Sequence, residues 1–276
     1  MHKIFSEISR ASARNVLFFA VAFAAMGAGP AAGEDWQELK GDHFVVYFAP
    51  ASGRETARTV LRRAEEYYKK IGARIGYSRY QDFWTWDERA KIFIFPDQRS
   101  FMQATGQPAW SKGYADRDSY LFESRAIVTY FQEDRLVDGL LPHEISHLIL
   151  RDFIGEASVP IWFEEGVAQL EEAGKSAEAS RTMKLLVPRR QHIPFGLFMA
   201  MDVRREKDPR KAQIFYAQSL SVVEFLIKKY GSDTFGRLCR NLRDGRPFPE
   251  ALAAAYAASL PSLADLEIQW VRRMSL

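Results

Sequence analysis

The sequence predicts an α+β fold, with a small β-sheet in the first half of the chain and a mainly helical second half. Segments rich in β-branched and aromatic residues alternate with helical segments between residues 42 and 131. In the second half, most apolar residues recur at helical spacing. Of the 276 residues, 47% are hydrophobic and 26% are charged, which is typical of a soluble globular protein.

The first 33 residues have the pattern of a targeting segment. A basic start precedes an apolar core at 16–26, and small residues follow up to Gly33. The apolar run is shorter than the roughly 20 residues that span a membrane. We therefore predict a cleaved signal peptide at 1–33 and export to the periplasm or the medium, without a membrane span in the mature chain. An uncleaved membrane anchor is the alternative.

The elements of residues 34–155 follow from local composition and are predicted to form an N-terminal α/β subdomain. We expect strands at 42–48, 91–95 and 126–131, helices at 54–71 and 99–104, and a loop rich in glycine and aromatic residues at 105–120. A helix from about residue 137 to 152 closes this half. Pro142 lies in or near its first turn, because deeper in a helix a proline removes a hydrogen bond.

Residues 156–276 are predicted to form a helical C-terminal subdomain. One helix starts near Pro160, a charged and mostly solvated segment covers 171–186, and a strong helix at 214–230 ends at Gly231. His192 lies in a loop and is a candidate substrate contact. Two short helices, split by Pro261, end the chain, with Trp270 facing inward.

The most informative stretch contains His143, Glu144 and His147. Two histidines four residues apart lie on one face of a helix, so both imidazoles can reach one metal ion. Glu144 projects about 100° further round the same helix, beside the open side of such a metal. Zinc with three protein ligands keeps a position for water and lowers its pKa, and a neighbouring glutamate can take the proton. The pattern indicates metal-assisted hydrolysis of peptide bonds.

A third ligand must come from elsewhere, and Glu165 is the candidate. It follows His147 by 18 residues, enough for the first helix to end and a second helix to return. Gly166 lies inside that second helix, where glycine costs about 1 kcal/mol relative to alanine. A close approach of this backbone to the metal helix would explain the glycine.

The two stretches together, His143-Glu144-x-x-His147 and Trp162-Phe-Glu-Glu165-Gly-x-Ala168, resemble the gluzincin metallopeptidases. The resemblance implies a zincin-like fold with a small mixed sheet, one zinc ion per chain on His143, His147 and Glu165, and Glu144 as general base. It also implies a peptide or protein substrate and a last strand that borders the cleft.

Other positions refine the resemblance. Leu150 and Phe153 stand where metzincins need Gly and His, and the Gly-x-Met-Glu-Asn signature of gluzincin aminopeptidases is absent. Gln169 stands where thermolysin-like members often have an Asp, and it could accept from a ligand histidine. The 214–230 helix resembles one that follows the metal site in bacterial gluzincin-like peptidases. Tyr216 on it is the candidate donor to a developing oxyanion, with a core tyrosine as the alternative.

Composition excludes some functions and leaves others open. The net charge of +3, without a dense basic tract, gives no support to nucleic-acid binding, and the single Cys239 excludes an internal disulfide. A non-catalytic zincin-fold binding protein of the cell envelope is the alternative to a peptidase, although Glu144 is retained. A structural envelope component with an accidental motif is the third possibility.

Overall fold

The computed structural model describes residues 35–76, 84, 88–109, 111–116, 125–131, 136–155, 157–257 and 259–276. The predicted targeting segment at 1–33 lies outside these described residues. Within the described ranges, no helix has both the length and the apolar character needed to cross a membrane.

Five strands in the described residues form one mixed sheet. They are β1 (Gln37–Lys40), β2 (Phe44–Phe48), β3 (Ala90–Phe95), β4 (Gly113–Asp116) and β5 (Ala126–Tyr130). Their order is β1-β2-β3-β5-β4; the three central strands are parallel, and the two edge strands are antiparallel to their neighbours. The central strands are almost completely buried, as expected for parallel strands covered on both faces. The predicted α+β class and mixed sheet are confirmed.

The prediction of a loop over 105–120 is wrong for residues 113–116, which form β4. This strand is too short, and too poor in β-branched residues, to be recognised locally. It exists because it pairs with β5, so β5 is an inner strand and β4 is the edge. Gly113 permits the pairing, since a Cβ there would lie 2.9 Å from the Val128 carbonyl oxygen. The edge strand β1 is also absent from the sequence prediction.

Helices cover the sheet and build the second half of the chain. They are α1 (Arg54–Ile75), α2 (Gln98–Thr105), α3 (Leu141–Ile154), α4 (Ile161–Ala168), α5 (Lys175–Leu186), α6 (Phe195–Ala200), α7 (Pro209–Tyr230), α8 (Ser232–Arg243), α9 (Phe248–Tyr256) and α10 (Leu263–Met274). Alternate residues of β3 face the two sides of the sheet: Ile92 and Ile94 join the main core, whereas Phe93 and Phe95 pack in a smaller cluster with Phe101 of α2.

The C-terminal end of α7 agrees with the sequence prediction, but α7 begins at Pro209 rather than at residue 214, and α3 covers Leu141–Ile154 rather than about 137–152. A π-helical turn, Leu136–Leu140, leads into α3, and Pro142 lies in the first turn of that helix. Gly231 ends α7 with a φ of 84°, which glycine adopts without strain. Trp270 of α10 is fully buried in a main core that includes residues from both halves of the chain. The division into subdomains at 155/156 stays a prediction.

Gly166 lies at a close helix crossing, but its partner is α7 rather than the predicted metal helix. A Cβ at this position would lie 2.6 Å from the Ser219 carbonyl oxygen and 2.6 Å from Val223 Cγ2. Since the α7 backbone cannot move away easily, the substitution would separate the two helices. The glycine therefore sets how closely α4, with Glu165, approaches α7.

We expect Gly166→Ala to lower the free energy of unfolding by about 1–3 kcal/mol, because overpacking outweighs the better helix propensity of alanine. Urea denaturation followed by circular dichroism measures the change. The matched control is Gly196→Ala in α6, where an added Cβ meets nothing within 4 Å. Equal stability of the Gly166→Ala variant and the wild type would show that the α4–α7 contact is not tight.

Candidate functional site

The site is built on α3. One face of this helix packs in the core, and another carries the two histidines. Leu141, Ile145 and Leu148 are buried against the core and hold the helix in place. His143 and His147 lie one turn apart on another face, and their Nε2 atoms are 3.2 Å apart. The local geometry predicted from the i, i+4 spacing is present.

Helix α4 brings the third predicted ligand to the histidines. Glu165 Oε2 lies 3.8 Å from His143 Nε2 and 3.9 Å from His147 Nε2. One ligand atom from each of the three side chains can be chosen so that all lie within 4.8 Å of one another. The structure thus brings together two elements that a loop of several residues separates in sequence.

The donor set and its spacing fit a zinc ion. Zinc bonds to histidine nitrogen and carboxylate oxygen are about 2.0–2.2 Å long, so two ligand atoms of a tetrahedral site lie roughly 3.3 Å apart. The separations of 3.2, 3.8 and 3.9 Å are close to that value. Two imidazoles and one carboxylate also match the preference of zinc for nitrogen and oxygen donors.

The surroundings shift the pKa values of the two histidines in opposite directions. Burial disfavours a charged His143, but the hydrogen bond to Glu172 and the nearby carboxylates outweigh it and raise the pKa of His143 to about 9. Burial and the charge of His143 hold the pKa of His147 well below its ordinary value. His143 can therefore donate from Nε2 to His147 in the metal-free chain. A metal cation would displace that proton.

The residue that orients His143 is Glu172, which the sequence interpretation missed. Its Oε1 atom lies 2.7 Å from His143 Nδ1, so the carboxylate accepts from Nδ1–H and leaves Nε2 facing the ligand cluster. The expectation that Gln169 contacts a ligand histidine is wrong. The Gln169 amide instead donates to the backbone carbonyl oxygens of Glu165 and Tyr216, 2.9 and 3.1 Å away.

Glu172 is held in place through its neighbour Glu171, a buried residue that forms ion pairs with α1. The Glu171 side chain is only 2% exposed and pairs with Lys70 and, at 2.8 Å, with Arg74 of α1. The expectation of a mostly solvated segment from residue 171 is therefore wrong at its start. A 3₁₀ turn, Gln169–Glu171, turns the chain so that Glu171 faces α1 and Glu172 faces His143.

Glu144 lies on α3 between the two histidines, as predicted. Burial raises the pKa of its carboxyl group, although the charge of His143 and a hydrogen bond from the Ala115 backbone N–H oppose the shift. Ala115 belongs to the edge strand β4, so Glu144 and the sheet edge meet at the site. A carboxylate with a raised pKa is a stronger base near neutral pH.

Tyr216 of α7 lies at the border of the site. It lines a cavity of about 560 Å³ together with His143 and Glu172. Burial and the charge of Glu165 raise the pKa of its phenol to about 12, so it stays protonated at neutral pH. Burial also raises the pKa of the Glu165 carboxyl group. The charge of Arg204 opposes both shifts, which places a guanidinium near the site that the sequence did not reveal.

His192 is not part of the ligand cluster. Its ring packs edge-on against Trp270, with ring centroids 5.7 Å apart, and it lines a second cavity of about 450 Å³. Burial lowers the pKa of His192. Its predicted role as a substrate contact stays a prediction.

Comparison with known proteins assigns the chain to a family. The family model of the Peptidase MA superfamily matches residues 92–273. This range covers well over half of the chain and contains β4, β5, most of β3 and every residue of the ligand cluster. A search of curated proteins gives no match. The chain belongs to the Peptidase MA superfamily, which indicates a peptidase-like function on a peptide or protein substrate.

Proposed function

We propose that the protein is an exported zinc metallopeptidase with one zinc ion on His143, His147 and Glu165. The observation that carries the proposal is the convergence of these three ligand atoms beside the partly buried Glu144. A binding protein would need the ligands but would have no use for a base beside them. Export is proposed from the targeting pattern of residues 1–33 alone.

When bound, zinc would supply Lewis-acid chemistry that activates water and polarises a peptide carbonyl. Glu144 takes a proton from the attacking water and later delivers it to the leaving amine nitrogen. Its raised pKa suits both steps, because the group must accept and then release a proton near neutral pH. Glu172 keeps His143 oriented throughout, through the hydrogen bond to Nδ1.

An extended peptide can approach the site along the sheet edge. Among the described strands, β4 has a neighbour on one side only, and its Ala115 N–H donates to Glu144. Backbone groups on such an edge pair with a peptide strand without reading its side chains. We therefore propose β4, rather than the predicted last strand β5, as the edge that would align a substrate beside Glu144.

The experiment that tests the proposal combines metal analysis with hydrolysis. The protein from residue 34 onward is purified, its zinc is measured by elemental analysis, and its hydrolysis of an unfolded protein is followed by mass spectrometry. We expect one zinc per chain, and loss of activity with a chelator that added zinc restores. Peptide hydrolysis that survives complete metal removal would contradict the proposal.

Glu172→Gln is expected to weaken zinc binding by about 10–100-fold, since the substitution removes the charged acceptor behind His143. Competition with a coloured chelator measures the dissociation constant. Glu178→Gln is the matched control: Glu178 lines the same cavity but pairs with Lys175 rather than with a ligand histidine. Equal zinc affinity of the two variants would show that Glu172 does not support the metal site.

Tyr216→Phe is expected to lower kcat by about 10²-fold with unchanged zinc content, because a hydroxyl that donates to the developing oxyanion is lost. The backbone carbonyl of residue 216 still accepts from Gln169, so the fold is retained. Steady-state kinetics on one peptide gives kcat and KM separately. A higher KM with unchanged kcat would assign Tyr216 to substrate binding instead.

A further inference from the structure

A second cavity adjoins the cavity that His143 and Tyr216 line. The first lies between α5 and α7 and starts at His143 and Tyr216. The second is lined by residues 191–194 and by the start of α7. Arg210 and Ile214 line both cavities, so the two are adjacent. The two adjacent cavities are called here the α5–α7 groove; their lining extends from the site along α7.

One face of α7 forms the wall of this groove. Arg210, Ile214 and Ala217 follow one another at helical spacing, and all three line the first cavity. Arg210 precedes Tyr216 by six residues on α7, which corresponds to about 9 Å of helix axis. An extended peptide covers about 3.3 Å per residue. Arg210 therefore lies about three substrate residues from the end of the groove at Tyr216.

Most charged side chains in the groove already have a partner. Lys175 pairs with Glu178 at 3.2 Å, and Lys211 pairs with Glu206 at 2.7 Å. Glu172 accepts from His143. The Asp208 carboxylate accepts from the backbone N–H of Arg210, 2.9 Å away, rather than from its guanidinium.

Arg210 differs from these residues. Among the described residues, no carboxylate lies within ion-pair distance of its exposed guanidinium. A guanidinium presents a planar set of donors that matches both oxygens of a carboxylate. The apolar lining of the groove, including Ala179, Leu186 and Ile214, can pack against the apolar groups of a bound peptide.

We infer that the α5–α7 groove binds a segment of the substrate peptide and that Arg210 recognises a carboxylate about two to four residues from the scissile bond. The carboxylate belongs either to an acidic side chain or to the C-terminus of the substrate. The inference rests on the proposed peptidase function and adds the substrate class that this chain prefers.

The test uses a neutral, C-terminally amidated peptide that the protein cleaves. A single glutamate is placed at each position of the peptide in turn, and each glutamate peptide is compared with the peptide that has glutamine at the same position. One further pair compares the peptide with a free C-terminus and the same peptide with an amidated C-terminus. We expect the wild type to prefer the carboxylate in kcat/KM by about tenfold at one or two neighbouring positions. A preference limited to the free C-terminus identifies the chain end as the ligand.

The variants then assign the preference to Arg210. In Arg210→Ala the carboxylate-to-amide ratio should fall to about one, and in Arg210→Glu a lysine peptide should become the better substrate. Arg181→Ala removes the same charge from the exposed face of α5, outside both cavities, and should keep the wild-type ratio. Wild-type ratios near one at every position, or a tenfold ratio retained in Arg210→Ala, would overturn the inference.

A binding measurement separates failure of the inference from failure of the proposed function. Fluorescence anisotropy of the same peptide pairs with the Glu144→Gln variant, with and without zinc, reports recognition without hydrolysis. Carboxylate-selective binding that Arg210→Ala abolishes supports the groove even if no peptide is cleaved. Hydrolysis with no selectivity in either measurement supports the peptidase and rejects the role of Arg210.

Discussion

Glu144→Gln is expected to lower kcat/KM for peptide hydrolysis by about 10²–10⁴-fold while the zinc content stays at one per chain. The amide has nearly the shape of the carboxylate but cannot take a proton from water. Glu144 is not one of the three clustered ligands, so its loss should leave the metal in place. Kinetics on a single peptide, with elemental analysis of the same preparation, measures both quantities.

Two outcomes of this experiment would change the interpretation. Full activity with zinc bound would assign the base to another residue. Loss of zinc together with activity would place Glu144 among the ligands, and the kinetic effect would then say nothing about proton transfer. The Gln variant should also keep the hydrogen bond from the Ala115 N–H, because the amide oxygen still accepts. A normal melting temperature would show that the fold is intact.

Glu165→Ala is expected to weaken zinc binding by at least about 10²-fold. Structural zinc sites with four ligands bind with about 10–16 kcal/mol, so one ligand contributes on the order of 3 kcal/mol. His143 and His147 alone would leave only two protein ligands. Metal analysis after dialysis against a weak chelator should find zinc in the wild type and none in the variant.

The matched control for this prediction is the preceding residue of the same helix. Glu164 is also largely buried, and burial raises the pKa of its carboxyl group, but it is not part of the ligand cluster. Glu164→Ala should therefore retain zinc. If instead Glu164→Ala loses the metal and Glu165→Ala keeps it, the third ligand is Glu164 and α4 is rotated relative to the arrangement described above.

Much of the fold could be predicted because the elements carry local patterns. The strands β2, β3 and β5 are continuous apolar runs, and α1 and α7 present long stripes at helical spacing. The prediction failed at β1 and β4, the two short edge strands. Neither has enough apolar residues to be recognised alone, and each is a strand only because a neighbour supplies hydrogen bonds.

The i, i+4 placement of His143 and His147 and the position of Glu144 between them could be predicted from the amino-acid sequence. Those relations depend only on the 3.6-residue period of a single helix, which neighbouring residues set. Glu165 could be proposed as well, because few acidic residues follow the motif at a distance that a helical hairpin allows.

The surroundings of these four residues depend on tertiary packing. Glu172 meets His143 because a 3₁₀ turn and the buried Glu171 cluster with α1 redirect the chain after Ala168. Gly166 meets α7, and Ala115 meets Glu144, through packing between segments that lie far apart in sequence. Such contacts depend on how whole elements approach one another, and no local residue pattern encodes that distance.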